Sequence, residues 1–303
     1  MVQEAIVPVV DYQKLMTEKE ECERLREACE KSGCFRVVNH PIPLTLMKDM
    51  KAVVKYLHDL PMEIKVRNRS VIPDSGYVPS SEGVTPLYEG LGIYDMKSHQ
   101  NAVEDFCNAL KASPQQRKII EEYSQAIYDL ESSISQKMAE SLGINDTDFK
   151  DWPFIFRVIK YNFTQETLGN IGILLHSDPE FITLLQDDET VGGLELKDGS
   201  NTFKAIPTQP GSFLCIVGDV GHVWSNGRFF NMKHRVLCKE VATRYSIGAF
   251  MLSPRSGIVE PHEKLVDANH KRLFSPLKYE DLRQFRITTG KRAGEFLEQY
   301  RIA

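Results

Sequence analysis

His176-Ser177-Asp178-Pro179-Glu180-Phe181 lies where the chain, from about Phe154, changes from helical texture to short strand-like runs. The runs are 154–163, 181–186, 191–196, 202–206, 212–217, 234–240 and 243–252. Gly192-Gly193, Asp198-Gly199, Pro210-Gly211 and Asn226-Gly227 punctuate them, as turn residues do. Several short strands at this spacing imply a sandwich or barrel. A jelly roll, with its two facing sheets, can bring positions far apart in sequence into one mouth. The expected fold class is α+β: a double-stranded β-helix (jelly-roll) core with a mainly helical N-terminal region and a C-terminal helical extension.

Working outward, residues 1–150 read as that helical region with short strands. Ile6–Val10 is an apolar entry strand whose Pro8 suits an edge. Residues 17–31 place Leu25, Ala28 and Cys29 on one helical face, and 44–57 repeat the pattern through Met47, Met50, Val54 and Leu57. Cys34–Val38 between them reads as a strand. Residues 70–95, rich in Pro, Gly and Ser, are expected to be irregular. The clearest helix starts at the cap Ser113 with Pro114 in its first position and stops at Gly143. The expected division is 1–150, a catalytic core over 151–255, and a helical or irregular extension over 256–303.

A chain of 303 residues can bury a full core. A net charge of −5 argues against a nucleic-acid partner, and no apolar run approaches the ~20 residues that span a bilayer. The N-terminus has no basic segment followed by an apolar one, so the expected location is cytoplasmic. Cys22, Cys29, Cys34, Cys107, Cys215 and Cys238 form no Cys-x-x-Cys pair and read as buried thiols. The partner expected is a small-molecule substrate, with no membrane and no obligate protein partner evident. There is no Gly-x-Ser-x-Gly elbow, no His-Glu-x-x-His and no phosphate-binding loop.

His176 and Asp178, one residue apart on an extended segment, point to one side. His234 follows 56 positions after Asp178 (234 − 178), on another strand. Two imidazoles and a carboxylate with open positions suit Fe(II) better than a thiolate site would. His222 is the rival third ligand; His234 is preferred because Arg244 follows on the next strand. Arg244 and Ser246, two apart, share a face, and a guanidinium fork can bind a carboxylate. The phenol of Tyr161 can complete such an anchor.

These residues carry a resemblance to the plant-type 2-oxoglutarate- and Fe(II)-dependent dioxygenases over nearly the whole chain. It extends through Gly33-Cys34-Phe35-Arg36-Val37-Val38-Asn39-His40, Leu60-Pro61-Met62-Glu63-Ile64-Lys65 and Ser225-Asn226-Gly227-Arg228. The resemblance implies that His176, Asp178 and His234 bind Fe(II) and form the catalytic centre. It implies that Arg244 and Ser246, helped by Tyr161, hold the distal carboxylate of the co-substrate 2-oxoglutarate, and that molecular oxygen is consumed. Ser75-Gly76-Tyr77-Val78-Pro79, Tyr161-Asn162-Phe163-Thr164-Gln165 and Asn231-Met232-Lys233-His234 look similar to the subgroup that oxidises auxin, indole-3-acetic acid, to its 2-oxindole form. Tyr77, Tyr88, Phe229 and Phe250 are the expected pocket walls. The chain departs from the family pattern in two places: Ile159 replaces the usual Asn, and Ser177-Asp178-Pro179-Glu180-Phe181 stands where relatives tend to read Thr-Asp-Ser-Gly-Phe. The alternatives are a relative acting on another plant metabolite (alkaloid, phenolic or terpenoid), a binding protein of the same fold without turnover, and a hydrolase using another metal.

Overall fold

The computed structural model describes residues 4–81, 86–99 and 101–302. Its strands are β1 (Val9–Asp11), β2 (Cys34–Val38), β3 (Tyr88–Tyr94), β4 (Phe154–Phe163), β5 (Ile171–His176), β6 (Ile182–Gln186), β7 (Leu194–Lys197), β8 (Phe203–Ala205), β9 (Phe213–Val217), β10 (His234–Leu237), β11 (Ala242–Met251), β12 (Ile258–Val259) and β13 (Leu277–Lys278). Its helices are α1 (Tyr12–Leu15), α2 (Lys19–Lys31), α3 (Leu44–His58), α4 (Met62–Lys65), α5 (Ala102–Ala109), α6 (Pro114–Ser141), α7 (Asp219–Trp224) and α8 (Tyr279–Thr289). A major sheet runs β1-β2-β9-β6-β11-β4-β3, and a minor sheet β5-β10-β7-β8 faces it. This is the jelly-roll core, with helices and sheets both contributing.

Strand periodicity sorts the side chains of β4 and β11. On β4, Phe154, Phe156 and Val158 face the helices, while Ile159, Tyr161 and Phe163 enter the inter-sheet core with Leu194, Leu196 and Val236 of the minor sheet. On β11, Ile247, Ala249 and Met251 face the helices, which leaves Arg244, Ser246 and Phe250 on the opposite side. The two strands pair in register, Tyr161 opposite Arg244 and Ile159 opposite Ser246. The N-terminal helices cover the outer face of the major sheet, with α6 packed on α2, α3 and β11. Ser113 caps α6 by a reciprocal box with Gln116.

Most expected elements form within a few residues, including β2, α2, α3 and α6. Residues 70–95 are not irregular throughout, because β3 pairs with β4 along its whole length. Its two glycines hide the strand signal. Gly92 is a close-approach site, where a Cβ would lie 2.3 Å from the carbonyl oxygen of Ser75. Residues 82–85 of that stretch lie outside the described residues. Strand β5 and helices α5 and α7 were not expected from the sequence. The apolar run of β5 contains Gly172, packed against Tyr161 and Val236.

Candidate active site

His176 ends β5 and His234 begins β10, and the two are direct partners across the antiparallel pair. Their rings lie 4.2 Å apart between centroids. Asp178 sits just past β5, not on it, and its Oδ1 is 3.5 Å from His176 Nε2 and 3.6 Å from His234 Nε2. Among the described residues these three form the one group able to hold a metal ion, their ligand atoms all within 4.8 Å of one another.

The supporting bonds decide which atoms are available. His176 Nδ1 donates to the carbonyl of Leu174 at 2.7 Å and His234 Nδ1 to that of Met232 at 3.2 Å. A carbonyl only accepts, so each Nδ1 carries a proton, and each Nε2 is the ring nitrogen left facing Asp178. Burial, and next the neighbouring His234, hold His176 far below the usual histidine range, which keeps it neutral. Burial opposes ionisation of Asp178, but His234, His176 and the Thr183 hydroxyl outweigh it and lower its carboxyl. Thr183 Oγ1 donates to Asp178 Oδ2 at 2.5 Å, leaving Oδ1 for the shared space. Two imidazoles and one carboxylate are the donor set of a facial triad for Fe(II).

Arg244 supplies the other half of the site. It is 2% exposed, its Nη1 donates to Ser246 Oγ at 3.4 Å, and among the described residues its Nε has no partner. Its guanidinium stands 5.4 Å from the ring centroid of Tyr161. Among the described residues no carboxylate lies within ion-pair distance of it. A buried cation without a counter-ion is costly, so this position suits the carboxylate of a bound molecule. The residues present therefore fit Fe(II) at one end and a dicarboxylate at the other.

All six of these residues line one cavity of about 280 Å³. Tyr88 and Phe250 line it too, with Tyr88 accepting a 3.0 Å bond from Arg157 Nη1. Tyr77 and Phe229 are not on its wall. Tyr77 turns its hydroxyl to Glu89 at 2.9 Å, and Phe229 is fully buried in the main core. His222 lies on α7, donates Nδ1 to the carbonyl of Phe229 at 2.6 Å and packs on Phe274, apart from the triad. Ile159 and Glu180 both line the cavity. Sequence reasoning did not single out Thr183 or the cavity arginines Arg157, Arg283, Arg286 and Arg292. The only local signal was that Arg157 shares the alternating face of Ile159 and Tyr161.

Comparison with known proteins gives the same architecture. The 2OG-Fe(II) oxygenase superfamily model matches residues 153–253, and the model of the N-terminal region of non-haem dioxygenases in morphine synthesis matches residues 7–122. The 2-oxoglutarate-dependent dioxygenase DAO of rice (Oryza sativa) is 44% identical over 279 residues, covering 92% of each chain. The crystal structure of the rice dioxygenase for auxin oxidation superposes with a TM-score of 0.89 at 42% identity, covering 98% of this chain and all of that one. The 2-oxoglutarate complex of dioxygenase for auxin oxidation 1 from Arabidopsis thaliana gives 0.83 at 46% identity, covering 88% of this chain and all of that one. Likeness at this level, along the whole chain and not at the triad alone, settles the family: the protein belongs to the 2-oxoglutarate-dependent non-haem iron dioxygenases, which use Fe(II), 2-oxoglutarate and O2.

Proposed function

We propose that this enzyme oxidises indole-3-acetic acid to 2-oxindole-3-acetic acid. His176, Asp178 and His234 hold Fe(II), and Arg244 with Ser246 holds the distal carboxylate of 2-oxoglutarate beside Tyr161. The observation that carries the site reading is the pairing of a three-ligand cluster with a buried, unpaired guanidinium in one cavity. The substrate reading rests on the 44% identity to the rice enzyme over 92% of the chain, a relative whose structural counterpart is named for auxin oxidation.

With its cofactors bound, the family's chemistry converts 2-oxoglutarate and O2 to succinate and CO2 while one oxygen atom enters the substrate. The chain's own residues arrange this. Leu174 and Met232 fix the two imidazole tautomers, and Thr183 fixes the Asp178 rotamer. Arg244 is held in place by Tyr161 and Ser246, so little ordering remains when the co-substrate arrives. Ile173, Leu194 and Val236 of the minor sheet and Ile155 and Phe250 of the major sheet give the substrate an apolar bed.

The test is an aerobic assay with Fe(II) and 2-oxoglutarate on indole-3-acetic acid beside a panel of plant acids, phenolics and alkaloids. The expected result is preferred consumption of indole-3-acetic acid with the 2-oxindole product. Faster oxidation of another member of the panel would replace the substrate reading with that of a relative serving a different plant metabolite.

A further inference from the structure

Glu180 is left over once the metal ligands and the 2-oxoglutarate anchor are assigned. It lines the cavity two residues beyond Asp178 and is 9% exposed. Among the described residues its buried Oε2 has no hydrogen-bond partner, and no hydrogen bond joins either oxygen to another residue. Arg157 on β4 and Arg286 on α8 face it with their charge, yet neither stands within ion-pair distance. A buried acceptor left unmatched costs stability, and the Glu180 side chain is part of the wall of the space a substrate must enter. Its backbone is held from both sides. The carbonyl of Glu180 accepts from Val220 N at 3.1 Å, Phe181 N donates to Met251 at 2.7 Å, and Gly218 closes so tightly that a Cβ would lie 2.0 Å from the Glu180 oxygen.

Resting on the substrate reading above, we propose that Glu180 is a specificity-determining residue that accepts the ring N–H of the indole acid. In indole that nitrogen is bonded directly to C2, the carbon that becomes the 2-oxindole carbonyl. An acceptor two positions from Asp178, on a pinned loop, therefore turns C2 toward the metal face and the acetic side chain away from it. A carboxyl keeps an acceptor oxygen whether ionised or protonated, so the assignment does not depend on its charge.

The test compares indole-3-acetic acid with benzothiophene-3-acetic acid, in which sulfur replaces the N–H in a ring of similar shape. Apparent affinities and the oxidised position are measured for wild type, Glu180→Gln, which keeps a carbonyl acceptor, and Glu180→Met, which keeps the length without it. Glu180→Ala stands in should the Met variant not fold, with melting temperature as the check. Wild type is expected to favour the indole acid by about tenfold or more. The Gln variant keeps most of that ratio, and the Met variant loses it and oxidises positions other than C2. An unchanged ratio in the Met variant, or equal loss in Gln and Met, would overturn the role of Glu180 while leaving the substrate reading standing. Failure of wild type to oxidise indole-3-acetic acid would instead overturn the substrate reading, and the indole assignment with it.

Discussion

Leu174 and Met232 contribute only carbonyl oxygens, yet they decide which nitrogen of each histidine is offered to a metal. The candidate residues themselves were legible in the sequence, because His-x-Asp, a distal His and Arg-x-Ser are readable as residue types at fixed offsets, and folding brings them to one cavity. Their supports were less so. Thr183 and Arg286 reach the site through folding, and no local spacing marks them. Tyr77 and Phe229 were expected in the pocket on aromatic character alone, which does not distinguish a cavity wall from a core. Asp178→Ala or His234→Ala is expected to abolish iron binding and turnover together, measured by metal content and succinate release. His222→Ala is expected to retain both, since its ring serves Phe229 and Phe274; equal loss would restore it as a ligand. Arg244→Ala is expected to raise the KM for 2-oxoglutarate by about tenfold or more, the worth of a charge-assisted bond. An unchanged KM would remove Arg244 from that role.

Secondary-structure elements place these side chains by simple rules. Alternation along β11 puts Arg244, Ser246 and Phe250 on one face, and antiparallel pairing of β5 with β10 sets the two histidines side by side. Alternation within β11 was visible in the sequence. Strand β5 was missed, although it carries His176, because a short apolar run containing glycine has no clear period. Likewise β3 was hidden by Gly90 and Gly92, whose missing side chains permit close packing rather than a turn. One such contact, among the tightest, bears on function. A Cβ at Gly218 would lie 2.0 Å from the oxygen of Glu180 and 2.8 Å from that of Asp178. Gly218→Ala is therefore expected to push the ligand loop outward and weaken Fe(II) affinity by about tenfold or more, read by metal titration. Full affinity in that variant would show that the loop yields elsewhere.

Across the molecule, the N-terminal region is tied into the catalytic sheet rather than set beside it. Strands β1, β2 and β3 extend the major sheet, and Arg36 on β2 grips Asp187 through two buried bonds of 2.7 and 2.8 Å. Charge also couples the helices to β3. Burial opposes ionisation of Glu89, but His58, Lys65 and Tyr77 together hold its carboxyl down at about 2, against an ordinary 4.5. A depressed folded pKa stabilises above the ordinary value and that contribution is lost as pH falls from about 4.5 toward 2. Glu89→Gln is expected to be less stable than wild type at pH 7 but to lose less on moving from pH 6 to pH 3, measured by denaturant unfolding. Parallel losses would show that the network contributes nothing to the acid response. Such long-range ties are invisible to sequence spacing, since Arg36 and Asp187 are 151 positions apart.

One stoichiometry tests the proposed activity most directly: succinate formed against indole-3-acetic acid consumed, with Fe(II), 2-oxoglutarate and O2 supplied. It predicts one 2-oxindole-3-acetic acid per succinate, with one atom of labelled O2 in the product and no conversion without oxygen. Succinate released at the same rate with or without the indole acid, and the acid recovered unchanged, would contradict it.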